Sequence, residues 1–170
     1  MHQTKTLKPS SAEGIQISLS PIDAASYPRF FERVAGLYAE ESVNAGRWTR
    51  EEALGKARDE TEKILPEKER TTGNFLNWIM RGEEQIGYVW AGVSDNKPGE
   101  AFIYGIEVDE GQRGRGYGKE AMSLIEDLLR AKGFSSIALH VFEQSQAAVH
   151  IYEKKGYGTV SRLMRKTLEK

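Results

Sequence analysis

The residues best suited to chemistry stand together as Arg113-Gly114-Arg115-Gly116-Tyr117-Gly118, followed directly by Lys119. Glycine has no Cβ to hold a ligand away, and it reaches backbone angles that let successive N–H groups converge on one point. The two arginines add positive charge. Alternating glycines among cations suit a phosphate or pyrophosphate. Groups able to move a proton lie on either side: Glu107 ahead of the loop, and His140, Glu143 and Tyr152 beyond it.

Such a loop acts only if its neighbours aim it. Phe102 to Val108 is apolar and β-prone, which predicts a strand. From Lys119 to Lys132, Ala121, Leu124, Ile125, Leu128 and Leu129 recur at helical spacing, and Gly133 is a stop. Strand, glycine loop and helix follow one another, so the helix points its positive end at the loop. An arginine–glycine RNA-binding tract would instead lie in a long disordered segment. This stretch has a strand before it and a periodic helix after it.

The rest of the chain supplies a frame. Ile15, Ile17 and Leu19 alternate with polar residues and predict a first strand, which Pro21 ends. A helix is expected from Ile22 to about Asn44, with Phe30, Phe31, Val34, Leu37 and Tyr38 on one face. Thr49 and Glu52 have capping-box spacing and open a second helix that stops before Pro66. The period then changes to two. Phe75 to Met80 and Gln85 to Val93 read as a hairpin joined at Arg81–Glu84. After the central helix, Ile137, Leu139 and Val141 form one face of a further strand. Ser145 is placed to cap a short helix that Gly156 ends. Val160 to Leu168 reads as a last strand. The expected order is β-α-α-β-β-β-α-β-α-β, a mixed α/β (α+β) sheet with helices on both faces and a right-handed crossover at the glycine loop. Residues 1–14 are expected to be a flexible arm and 15–170 the domain.

Composition narrows the function. Of 170 residues, 24 are Lys or Arg and 25 Asp or Glu, so the net charge is -1 and no global basic field invites nucleic acid. The absence of cysteine removes disulfides, thiol nucleophiles and thiolate metal sites, and it suits a cytoplasmic location. The three histidines lack metal-ligand spacing. No apolar run is long enough to span a bilayer, and the N-terminus has no signal-peptide core.

Two phosphate-binding rivals fit poorly. A dinucleotide fingerprint places its glycines as G-x-G-x-x-G immediately after the strand, whereas these are two apart and stand well beyond Val108. A P-loop needs Gly-Lys-Ser/Thr, which is missing. Arg113-x-x-Gly116-x-Gly118 between a strand and an amphipathic helix resembles the acetyl-coenzyme A signature of the GNAT superfamily of N-acetyltransferases. Downstream, Ala148-Val149-His150-Ile151-Tyr152-Glu153-Lys154-Lys155-Gly156-Tyr157 is similar to that superfamily's C-terminal motif. The separation of the two motifs and the element order match as well.

The resemblance implies acetyl transfer from acetyl-coenzyme A to a primary amine of a small molecule, amino acid or peptide. It places the coenzyme pyrophosphate on the amides of Arg113, Gly114, Arg115, Gly116, Tyr117 and Gly118, with Lys119 beside them. The pantetheine arm would pair along Ile106 to Val108, where this strand splays from the next. Tyr152 matches a tyrosine that often protonates the leaving thiolate. Ser145 stands where many relatives carry Asn at the coenzyme. Relatives often have an acid where this chain has Tyr104 or Gly105, and here the nearest acid is Glu107.

An alkyl ammonium, with a pKa of about 10.4, must lose a proton before it attacks. Glu107 is the first candidate base; its alternative is a strand-end acid paired with Arg113 or Arg115. His140 follows, with a hydrogen-bonded core histidine as the plainer account, and then Glu143. His150 is expected to face solvent. By analogy the acceptor binds near Glu40, Glu41, Asn44, Arg47 and Trp48, and the identity of the amine is open. The acid missing at Tyr104 or Gly105 keeps a second reading alive, a non-catalytic acyl-coenzyme A sensor. A homodimer is left open.

Overall fold

A computed structural model describes residues 16–168. The expected arm at 1–14, and Ile15 of the first strand, lie outside the described residues. The sheet has five strands in chain order: β1 (Ser18–Pro21), β2 (Asn74–Arg81), β3 (Glu84–Val93), β4 (Glu100–Val108) and β5 (Ser136–Leu139). The first three pairings are antiparallel and β4–β5 is parallel. Helices α1 (Tyr27–Asn44) and α2 (Arg50–Ile64) connect β1 to β2, and α3 (Tyr117–Ala131) makes the crossover from β4 to β5. Helix α4 (Gln146–Lys154) follows. The chain divides after His140 into two units.

In the first unit, alternation along the strands gives each sheet face its own partner. Leu76, Trp78, Tyr88 and Trp90 turn toward α1, where Phe30 is fully buried. The Phe30 ring lies edge-on to Trp78, Tyr88 and Trp90, with centroids 6.1, 5.6 and 6.1 Å away. Edge-on contacts match the positive ring edge to the negative face and add to the area buried. On the opposite face Ile79, Ile86 and Val108 pack with Ala121 of α3. The hairpin aromatics Trp78, Tyr88 and Trp90 are therefore core.

The helix starts follow local chemistry. Thr49 opens α2 as its spacing implies, with its N–H donated to Glu52 Oε1 at 3.1 Å. α1 begins at Tyr27 rather than near Ile22. Asp23 Oδ1 accepts the Ser26 N–H at 2.9 Å, closing a turn that uses the donors a longer helix would need. Pro28 then stands at the helix start, where a missing N–H costs nothing.

The second unit departs from the expected pattern. No strand forms from Val160 to Leu168 among the described residues. Val160 is 97% and Leu168 79% exposed, and Leu163 and Met164 are exposed too. Val160, Met164 and Leu168 would share one strand face, but Arg162 and Lys166 stand between them on it and Leu163 falls on the other, so neither face is continuously apolar. β5 is also shorter than expected and ends at Leu139, ahead of Val141. Among the described residues no helix is long and apolar enough to cross a membrane.

Candidate coenzyme and acyl-transfer site

Val108 closes β4, and a short turn over Glu110–Gln112 leads into the glycine loop. Gly114 and Gly116 have φ of 75° and 84°, left-handed angles that side chains with a Cβ rarely adopt. Gly116 is also the N-cap of α3, and Gly118 lies inside the helix's first turn. The first N–H groups of α3 have no carbonyl a turn behind them, so they remain available as donors. Arg115 and Lys119 are exposed beside them. A Cβ on Gly114 would meet nothing within 4 Å, so the loop opens outward. Convergent donors, a helix dipole, two cations and open space fit a pyrophosphate.

β4 is made to leave β5 by a local irregularity. Trp90 stands opposite Gly105 and Ala91 opposite Ile103, so Tyr104 is the extra residue of a bulge. A bulge bends its strand and increases local twist. Pairing with β5 ends at Ile103–Leu139, and β4 runs on through Tyr104 to Val108 without β5 beside it. Ile106 and Val108 anchor this run through their side chains against the α3 side of the sheet. A strand that outruns its neighbour is the kind of edge that can pair with an extended arm.

Glu107 points to the other face, toward α1. Arg33 reaches it from the helix, with Nε and Nη2 at 3.0 and 2.9 Å from Oε2. The same guanidinium bonds Asp109 Oδ1 at 2.6 Å and lies 5.4 Å from the centroid of the Tyr88 ring. Desolvation pulls Arg33 toward neutrality, but its bonds to Asp109 and Glu107 outweigh that and raise its pKa. On the remaining oxygen, Oε1, Glu107 takes Arg113 Nη2 at 3.1 Å. Arg113 Nε donates to Val108 O at 2.9 Å. The strand-end pairing considered from sequence thus forms with Arg113 and with an unforeseen partner, Arg33. Arg33 gave no signal in sequence: one arginine on an amphipathic helix reads as solvated, and its partner is 74 residues away.

Near the end of α1, the carboxyl of Glu41 is held above the usual range. Burial is the first cause, followed by the negative charges of Glu107 and Glu40. The side chain still reaches solvent, so neighbouring protein desolvates it only in part. Arg47 bonds Glu60 Oε1 at 3.1 Å and lies 4.6 Å from the Trp48 ring centroid, which ties the α1–α2 connection together. His140 lies just past β5 and is exposed, so it is not a core histidine.

In the second unit Ser145 is the N-cap residue of α4, and its carbonyl accepts the Val149 N–H at 3.0 Å. Its side chain makes no capping bond. Tyr152 is half-buried on α4, its ring 5.8 Å from Tyr157. The Tyr157 N–H closes the helix end on Tyr152 O at 3.0 Å. Glu143 is exposed, with Arg162 4.0 Å away, and His150 faces solvent as expected.

Residues 39–157 match the family model described as the Acetyltransferase (GNAT) family. The chain belongs to this family. YycN of Bacillus subtilis, named as an N-acetyltransferase, is 31% identical over 155 residues, which cover 89% of this chain and 99% of that protein. Its solved structure agrees with a TM-score of 0.86 at 30% identity, covering 91% of this chain and 100% of that one. A mycothiol acetyltransferase of Beutenbergia cavernae is 27% identical over 94% of this chain, which spans 55% of that protein. At 16% identity AAC(6')-Iy, solved with the bisubstrate analogue CoA-S-monomethyl-acetylneamine, shares the fold with a TM-score of 0.58 over 91% of this chain and 99% of that one. The five-stranded mixed sheet and its helices are those of a GNAT fold.

Proposed function

We propose that this GNAT protein is an acetyl-coenzyme A-dependent N-acetyltransferase acting on a primary amine of a small molecule, amino acid or peptide. The observation that carries the reading is the continuous run of β4 past β5 into the glycine loop and α3. The bound coenzyme supplies an acetyl thioester. Backbone N–H groups of Arg113 to Gly118 hold its pyrophosphate, with Arg115 and Lys119 adding charge. The edge of β4 from Ile106 to Val108 aligns the pantetheine arm, and Ser145 contributes a hydroxyl toward the coenzyme.

In the transfer, a bond forms between the amine nitrogen and the acetyl carbon while the carbon–sulfur bond breaks. Glu107 takes the proton of the attacking ammonium, directly or through water. The second N–H proton leaves to water as the amide forms, and the Tyr152 hydroxyl, reprotonated from water, gives a proton to the leaving thiolate. A proton transfer of this kind contributes about 10²-fold or more to rate.

A thermal-shift experiment tests the coenzyme site. Acetyl-coenzyme A raises Tm, and NAD and ATP leave it in place; the opposite ranking defeats the proposal. A second reading is a sensor that holds acyl-coenzyme A without turnover. It is favoured by the two guanidinium groups on the Glu107 oxygens. Thiol release across a panel of amines, polyamines, aminoglycosides, amino acids and peptides separates the two, since acceptor-dependent release rules out the sensor.

A further inference from the structure

Two arginines hold Glu107, and they are held very differently themselves. Arg33 has its guanidinium fixed by Glu107, by Asp109 at 2.6 Å and by the Tyr88 ring, and its side chain is 24% exposed. Arg113 is 57% exposed and belongs to the glycine loop, immediately before the left-handed Gly114. Its side chain turns back from the loop onto the last two residues of β4, Glu107 Oε1 and Val108 O. The first cation of a phosphate-binding loop is therefore engaged by a carboxylate instead of facing outward.

Glu107 is only 19% exposed, but the Arg113 guanidinium stands in solvent, which weakens and screens their pairing. A pyrophosphate carries more charge and offers paired oxygens that match the guanidinium fork. We infer that Arg113 is a latch: it exchanges Glu107 for the coenzyme pyrophosphate, so that filling the coenzyme site frees Oε1 of Glu107 on the acceptor side. This rests on the proposed coenzyme site and adds a coupling between that site and the carboxylate. Arg33 stays on Oε2 throughout and keeps Glu107 aimed. With Arg113 gone, Glu107 keeps Arg33 on Oε2 and has Oε1 open to the amine. The order of events follows: coenzyme first, then deprotonation of the amine.

A plainer account makes Arg113 a staple that holds the loop on β4. The two accounts give opposite signs in one measurement. Coenzyme A is titrated calorimetrically into the full chain and into Glu107→Gln, Arg113→Ala and the double variant, each with its fold checked by circular dichroism. The latch removes a competitor for Arg113 in Glu107→Gln, so coenzyme A binds about 2- to 5-fold tighter. Arg113→Ala binds about 10-fold more weakly. In the Arg113→Ala background, Glu107→Gln has no further effect, because nothing remains to be released. Unchanged or weaker binding by Glu107→Gln overturns the latch, as does a gain that persists without Arg113. Failure of the unmodified chain to bind coenzyme A would instead remove the coenzyme site itself.

Discussion

The glycine loop and the Glu107 knot adjoin at the end of β4 but are built from different materials. The loop is made of backbone: two left-handed glycines, the first N–H groups of α3 and the stretch of β4 beyond its pairing with β5. The knot works through long side chains from α1, β4 and the loop, Arg33, Glu107, Asp109 and Arg113. A backbone site is fixed by local conformation and tolerates change only where φ allows it. A side-chain knot exists only when distant elements pack, and each member can be exchanged at moderate cost.

The largest effect expected from breaking this contrast is at Gly116. Its φ of 84°, at the head of α3, is one that a β-branched side chain adopts only with strain. Gly116→Val is expected to lose coenzyme A binding by about 100-fold or more in titration, while stability falls by about 1–2 kcal/mol. Normal affinity would make the loop a mere turn. Next comes Tyr152→Phe, in which the ring stays and only the hydroxyl leaves. Turnover should drop about 10²-fold with coenzyme affinity intact, measured with an identified acceptor and chemistry rate-limiting. Unchanged turnover would return Tyr152 to a packing role beside Tyr157.

On the knot, the effects are smaller and touch stability first. Arg33→Met removes the shared partner of Glu107 and Asp109 and should cost about 1–3 kcal/mol in urea unfolding, with Arg33→Lys recovering part of it. A loss as large as that of a buried core residue, or none, would mean the knot is not what joins α1 to β4. The smallest effect is at Glu41. Burial and the charge of Glu107 raise its folded pKa, so the folded chain favours its neutral form. Its contribution to stability is then full below the unfolded value near 4.5 and lost as pH rises through the folded value. Glu41→Gln should melt higher than the unmodified chain at pH 7 and alike at pH 4 and below. Solvent keeps the gain under about 1 kcal/mol. A gain that is the same at both pH values would place its cause outside this titration.

What was visible in the sequence divides along the same line. The hairpin turn at Arg81–Glu84, the capped start of α2 at Thr49, the strand ending at Val108 and the helix behind the glycines depend on period, caps and glycine angles. The start of α1 was misplaced because Asp23 binds the Ser26 N–H in a competing turn. No strand forms over Val160–Leu168, because its apolar residues are interrupted by Arg162 and Lys166 and local pattern does not supply a partner strand.

By itself the sequence determined the order of elements from β1 to α4, the crossover and the glycine loop at the head of α3. Each of these is written in residues close along the chain, where steric limits on φ and the spacing of apolar side chains act directly. Only the tertiary structure decided that Glu107 faces α1, that Arg33 holds it across 74 residues and that Arg113 turns back from its loop. It also decided that β4 parts from β5 at Ile103, through a bulge defined only by the register with β3. Charges recognise one another through space rather than along the chain, and packing Phe30 against the sheet is what brings these within reach.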